Sequence, residues 1–124
     1  MPVILIVEDD AANQELLARF LRRASYKVIL ATDGMTGVGA AQEHTPDLIV
    51  MDLGLPGIDG WEATRQIRSI PKTAHIPIIA LTAHALSSDV IRAIEVGFDA
   101  YETKPVVYRR LIQKIDQFVN HQPG

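Results

Sequence analysis

The chain contains no cysteine. That excludes a disulfide framework, a thiolate nucleophile and a zinc–thiolate centre. It has no surplus of basic charge either: 12 Lys and Arg stand against 15 Asp and Glu, a net charge of −3. There is therefore no electrostatic footprint for direct nucleic-acid binding. It lacks an apolar run long enough to insert in a membrane. The N-terminal run Val3-Ile4-Leu5-Ile6-Val7 stops at Glu8-Asp9-Asp10, which also excludes a secretory signal. A cytoplasmic location is the default expectation. No internal repeat, low-complexity segment or linker is visible.

What is present fits one domain: 124 residues, 48% hydrophobic and 22% charged, within the size range of a single core. Five short apolar runs alternate with helical patterns. Val3 to Val7 is continuously apolar and β-branched, the mark of a strand buried on both faces. Asp10 is an N-cap for a helix whose apolar face is Leu16, Leu17, Phe20, Leu21 and Ala24, with Arg19, Arg22 and Arg23 outside. Val28 to Ala31 is a second strand, and Asp33-Gly34 a turn. Met35 to Glu43 is a weak helix, because Gly37 and Gly39 each cost about 1 kcal/mol relative to Ala in a helix interior.

Asp47 to Met51 is a third strand, leading to Asp52 and a turn at Pro56-Gly57. Gly60 to Ser69 is a helix with Trp61, Thr64 and Ile67 or Arg68 on one side, and Trp61 half-buried. A loop carries Pro71. Ile78 to Leu81 is a fourth buried strand. Ser87 or Ser88 starts a helix that Gly97 ends. Asp99 to Thr103 is a less apolar fifth strand, expected at a sheet edge. The last helix carries Val107, Leu111, Ile115 and Phe118. This alternation implies an α/β fold with a parallel sheet and helices on both faces.

In such a sheet every strand's carboxyl end lies on one edge, where ligands bind. The first strand delivers Glu8, Asp9 and Asp10 there, the third Asp52, the fourth Thr82 and the fifth Lys104. Two carboxylates about 4 Å apart repel by roughly 4 kcal/mol at an effective dielectric near 20, in a fold whose whole stability is about 5–15 kcal/mol. A cation must offset this. Lys104 is one candidate and a divalent ion the other. Oxygen ligands without cysteine select a hard cation, Mg²⁺, whose usual partners are phosphates. A carboxylate nucleophile beside a metal, an ammonium and a hydroxyl is what phosphoryl transfer to aspartate needs.

The motifs Ile6-Val7-Glu8-Asp9-Asp10, Met51-Asp52-Leu53-Gly54-Leu55-Pro56-Gly57, Ala80-Leu81-Thr82-Ala83 and Lys104-Pro105 together resemble a response-regulator receiver domain, in the style of the stand-alone regulators of two-component signalling. They span nearly the whole chain in order. The resemblance implies a flavodoxin-like (βα)5 fold with a five-stranded parallel sheet in the order 2-1-3-4-5. It implies a receiver domain over residues 1–120, a short tail over 121–124 and no output domain. It further implies that Asp52 is the phosphoacceptor. Asp9, Asp52 and the carbonyl of Gly54 would ligate Mg²⁺, with Glu8 acting through a water. Thr82 and Tyr101 would form the switch, Lys104 would pair with a phosphoryl oxygen, and Lys104-Pro105 would be cis. Gly54 and His84 occupy the positions that tune dephosphorylation in the family.

Taken singly, these residues have plainer readings. Asp52 alone would be a turn cap, Thr82 a loop hydroxyl and Lys104 a solvated lysine; their convergence reverses each. Asp10 is read as a cap. Tyr101 stands between fixed packing and a moving ring. His44, His75 and His121 read as surface, as does the pair Arg109-Arg110. The implied role is a phosphorylation-activated switch in a phosphorelay. Its donor would be a histidine kinase or histidine phosphotransfer protein. It would be read by a protein partner on the face formed by the helix after the fourth strand, the fifth strand and the last helix. It would be a monomer or weak dimer, and an enzyme only in dephosphorylating itself. The alternatives are a relay intermediate that passes phosphate to a histidine phosphotransfer protein, and a small Mg²⁺-dependent aspartyl-phosphate phosphohydrolase.

Overall fold

The computed structural model describes residues 1–54, 59–83 and 95–119. The expected turn at Pro56-Gly57, His84, the tail, and all but the end of the helix before Gly97 lie outside them. Five strands form one parallel sheet in the order β2-β1-β3-β4-β5: β1 (Val3–Val7), β2 (Lys27–Ala31), β3 (Leu48–Asp52), β4 (Ile78–Thr82) and β5 (Ala100–Thr103). The central strands are the continuous apolar runs, and they are buried on both faces. β5 is an edge, as its weaker apolarity predicted.

Two cores sandwich the sheet. On one side Leu5, Val7, Ile49, Met51 and Ile78 pack against α2 (Gly34–His44) and α3 (Gly60–Ser69). On the other, Ile4, Ile6, Val50, Ile79 and Leu81 pack against α1 (Ala11–Arg23) and the C-terminal helix (Tyr108–Val119). Among the described residues no helix is long and apolar enough to cross a membrane.

The structure corrects several local expectations. β3 begins at Leu48; just before it the Asp47 carboxylate accepts the Val3 N–H at 2.7 Å and the Asp47 N–H donates to the Val3 carbonyl at 2.8 Å. β3 extends one residue further, so Asp52 is itself in the strand. Leu16, Val107 and Phe118 are exposed rather than core. In α1 the buried stripe is Leu17, Ala18 and Leu21, and Phe20 stacks on Tyr108 with ring centroids 4.2 Å apart. Trp61 is buried rather than half-buried, packed edge-on against Phe98 at 5.5 Å. Asp33 caps α2 in a reciprocal capping box with Thr36 instead of forming a free turn.

The two glycines of α2 have different meanings. A Cβ on Gly37 would meet the γ-carbons of Val7 at 2.9 and 3.0 Å. Val7 is fully buried and stiff at χ1, so Gly37 is what lets α2 lie on β1. Gly39 has nothing within 4 Å. We expect Gly39→Ala to stabilise the fold by about 1 kcal/mol and Gly37→Ala to destabilise it, both measured by urea unfolding. A stabilising Gly37→Ala would refute the close-approach explanation.

Arg68, left ambiguous by the helical pattern, is a hub at the opposite edge from the acidic cluster. Its guanidinium donates to the carbonyls of Ala74, Ile76 and Gly97 and pairs with Asp99 at 2.8 Å. Asp99 in turn accepts the Ile78 N–H at 2.8 Å. Gly97 has φ +113°, and a Cβ there would lie 3.2 Å from Arg68 Nε. Glycine is needed on both counts.

Candidate functional site

The carboxyl ends of β1, β3 and β4 and the turn after β5 converge as the strand pattern predicted. β1 ends at Val7, and the next residues are Glu8, nearly fully buried, and Asp9, exposed. Asp10 turns the chain into α1 by accepting the Asn13 N–H at 2.9 Å, and its own N–H donates to Glu8 Oε2 at 3.2 Å. Asp10 is thus the cap expected. One residue further in, Gln14 Nε2 donates to the carbonyls of Glu8 and Ala31, both at 3.2 Å. It ties the acidic turn to the end of β2. Nothing in the sequence pattern singled out Gln14.

Asp52 closes β3 and is 2% exposed. Its Oδ1 accepts the Gly54 N–H at 3.0 Å. Its Oδ2 lies 2.9 Å from Lys104 Nζ, which is also 4.0 Å from Glu8 Oε1. Lys104 is delivered there by register: its N–H bonds the Thr82 carbonyl at 2.8 Å, just past the end of β5. The Lys104–Pro105 peptide is cis, as the motif implied. Carboxylate oxygens of Glu8, Asp9 and Asp52 lie within 4.8 Å of one another. That spacing and an all-oxygen donor set fit a hard divalent cation.

Gly60 holds this geometry from below. A Cβ there would sit 2.3 Å from the Asp52 carbonyl oxygen and 2.8 Å from Leu53 Cα. The first residue of α3 therefore packs directly on the backbone that carries Asp52. Trp61 and Gly54, with Thr82 and Ala83, line the cleft above Asp52. A second groove opens on the other side of Lys104, lined by Glu8, Asn13, Leu17, Pro105 and Tyr108. From the sequence Trp61 reads as half-buried packing, with contact to a partner as the alternative, and not as part of the cleft. Its position at the start of the helix following Asp52 was the available signal.

The two buried carboxylates divide one proton unequally. Burial, then the hydrogen bond with Asp52, pushes Glu8 up to about 8. Burial also opposes ionisation of Asp52. The bonds from Glu8, the Gly54 N–H and Lys104 outweigh it and hold Asp52 below its ordinary value. Both shifts favour a proton on Glu8 and a charge on Asp52, which is the form a nucleophile requires.

Thr82 ends β4, half-buried. Tyr101 is 37% exposed on β5. Glu102 went unremarked in the sequence because a polar residue on an edge strand looks solvated. It is in fact buried, facing the C-terminal helix, with Arg110 and Lys114 beside it. His44 and His75 are exposed, and Arg109 is solvated as expected.

Comparison with known proteins fits this geometry. Residues 4–116 match the response regulator receiver domain family. The polar-differentiation response regulator DivK of Brucella anthropi is 35% identical over 116 residues, 94% of this chain and 94% of that protein. The receiver domain of the sensor histidine kinase PA1611 from Pseudomonas aeruginosa, solved with a magnesium ion coordinated in its active-site cleft, is 37% identical. It superposes with a TM-score of 0.88 over 96% of this chain and 98% of that one. A two-component response regulator from Clostridium difficile superposes at 0.91 over 100% of both chains with 26% identity. With its five parallel strands in the order 2-1-3-4-5 and its acidic cluster at their carboxyl ends, the chain belongs to the response regulator receiver domain family of two-component systems.

Proposed function

We propose that Asp52 accepts a phosphoryl group from the phosphohistidine of a histidine kinase or histidine phosphotransfer protein. The observation that carries this is the buried Asp52 carboxylate, with Lys104 Nζ at 2.9 Å and two further carboxylates beside it. An Asp52 oxygen attacks phosphorus, the P–N bond breaks, and its electron pair leaves with the donor imidazole. Lys104 stabilises the charge on the phosphoryl oxygens. Asp9, Asp52 and the Gly54 carbonyl would hold Mg²⁺ directly, and Glu8 through a water. When bound, the metal neutralises charge on the phosphoryl oxygens.

The transferred group adds roughly two negative charges at the end of β3. Thr82 and Lys104 then draw toward it, and Tyr101 moves inward. This repacks the face made by the helix before Gly97, β5 and the C-terminal helix, where a protein partner docks. The chain works as a monomer or weak dimer in the cytoplasm, and turns over only its own phosphoryl group. A relay role, in which the phosphate passes on to another protein's histidine, uses the same residues. The 37% identity to a receiver domain within a sensor kinase favours keeping it beside the switch.

Acetyl phosphate with Mg²⁺ should give a single-phosphate mass increase that a metal chelator prevents. No adduct in the wild type would sink the proposal. Transfer of the label from the modified chain to a histidine phosphotransfer protein would select the relay.

A further inference from the structure

Glu102 is a buried carboxylate with two cations on the C-terminal helix. Its Oε1 lies 3.2 Å from Lys114 Nζ and 3.7 Å from Arg110 Nε. Neither contact has hydrogen-bond alignment, so Oε1 is an ion-paired atom without a hydrogen bond. Lys114 spends its aligned donor elsewhere, on the Tyr101 carbonyl at 2.8 Å. The same ammonium is 5.8 Å from the centroid of the Tyr101 ring. Tyr101 and Glu102 are consecutive in β5, so their side chains point to opposite faces of the sheet. One ammonium therefore touches groups on both sides of the edge strand.

This is more than a surface ion pair. A long lysine ordinarily loses side-chain entropy for little return in an exposed contact. Here the carboxylate beneath and the carbonyl beside it fix the ammonium in place. The ring then meets a cation that is already ordered, in the exposed position that the structure shows. A ligand or side chain shifts a two-state equilibrium only by its differential interaction with the two states. An ammonium that contacts one position of the ring and not the other supplies such a difference.

We infer that Lys114 is a positioning residue that holds the Tyr101 ring in its exposed position before phosphorylation. The readiness of the switch would then be set from the C-terminal helix. This rests on the proposed function above, in which Tyr101 moves inward when Asp52 is modified. Glu102 anchors the lysine, and Arg110 keeps Glu102 paired when the lysine is replaced, so the position can be tested without leaving a bare buried charge. Arginine at 114 preserves the charge, the donors and the contact with an aromatic face; methionine preserves only the stem.

The test is fluorine NMR of protein carrying fluorotyrosine, with the Tyr101 resonance assigned through Tyr101→Phe. Tyr26, whose hydroxyl bonds Asp116, and Tyr108, stacked on Phe20, serve as internal controls. Spectra are taken with Mg²⁺ alone and with Mg²⁺ plus beryllofluoride, a phosphoryl mimic. In wild type the Tyr101 resonance should move on adding beryllofluoride. With Mg²⁺ alone, Lys114→Met should already shift part of the way, with the inward population raised roughly two- to five-fold, the size of an exposed cation–π contact. Lys114→Arg should stay at the wild-type position. A Tyr101 resonance in Lys114→Met indistinguishable from wild type would overturn the inference while leaving the moving ring intact. A wild-type resonance unmoved by beryllofluoride would overturn the moving ring, and the inference with it. Equal shifts of Tyr26 and Tyr108, persisting in the double variant Glu102→Gln/Lys114→Met, would mark general repacking and also overturn it.

Discussion

Asp52→Asn should take up no phosphoryl group from acetyl phosphate, while Lys104→Met should take it up about 10²–10³ times more slowly than wild type. The two effects differ in kind. In the proposed transfer Asp52 supplies the atom that bonds to phosphorus, and an amide oxygen cannot replace an ionised carboxylate as nucleophile. Lys104 supplies a charge, 2.9 Å from Asp52 Oδ2, at the place where negative charge gathers. Removing one such preorganised group slows transfer without removing the acceptor. Both variants keep an argument for folding. In Asp52→Asn the lysine still has Glu8 at 4.0 Å. In Lys104→Met the Asp52 carboxylate still accepts the Gly54 N–H at 3.0 Å. Time courses of intact mass at saturating Mg²⁺ separate them. An adduct that persists in Asp52→Asn would move the acceptor elsewhere in the cluster. Wild-type rates in Lys104→Met would remove the lysine from the chemistry.

The second large effect concerns pH and metal together. Without metal, stability should fall as pH rises from about 5 to about 8. Glu8 is raised from 4.5 to about 8 in the folded chain, so over that window the unfolded chain loses a proton that the folded chain keeps. The unfolded state then binds fewer protons, and stability declines with pH. The contribution of Glu8 is complete below its unfolded value and is lost as the pH rises through about 8. Asp52, held low, works the other way. Its contribution is present above the ordinary carboxylate range and is lost as pH falls below it. Together they place the metal-free optimum on the mildly acidic side.

If Mg²⁺ binds as proposed it should invert the slope, because its oxygen ligands must be deprotonated and binding would expel the proton that Glu8 shares with Asp52. The apparent Mg²⁺ affinity should rise by up to about tenfold per pH unit below pH 8 for one displaced proton. Calorimetry at pH 7 in buffers of different ionisation enthalpy measures that proton directly, and thermal unfolding measures the stabilisation. Asp9→Asn removes one carboxylate from the cluster and should weaken both. A binding enthalpy independent of buffer would show that no proton is displaced. An unchanged melting temperature with Mg²⁺ would argue against the metal site itself.

The sheet and its chemistry were legible in the sequence for one reason. Runs such as Leu48-Ile49-Val50-Met51 are apolar on every side, and in a parallel sheet that signature also fixes where each strand stops. The polar residue at each stop then lands on the common edge, so Glu8, Asp52, Thr82 and Lys104 could be grouped before any distance was known. What stayed hidden depends on neighbours distant in sequence. Leu16, Val107 and Phe118 satisfy helical periodicity, yet the faces beneath them are not covered. Gln14, Glu102 and Arg68 carry ordinary surface chemistry. Only the carbonyls of Glu8 and Ala31, the cations of the C-terminal helix and the turn at Gly97 give them their tasks. Gly60 looked like a helix start, and its close approach to the Asp52 carbonyl is a tertiary fact.

Glu8 and Lys104 stand at nearly opposite ends of the chain, yet they share the Asp52 carboxylate as neighbour. Synthesis delivers them in that order, at about 5–20 residues per second. For several seconds the emerging chain holds its acids without the lysine that offsets them, and β4 has no β5 to pair with. On the proposed function, the acceptor would thus reach its full rate of phosphorylation only once the final strand has docked. Rapid phosphate uptake would then mark completed folding, and a half-made chain would compete poorly with finished molecules for phosphoryl groups.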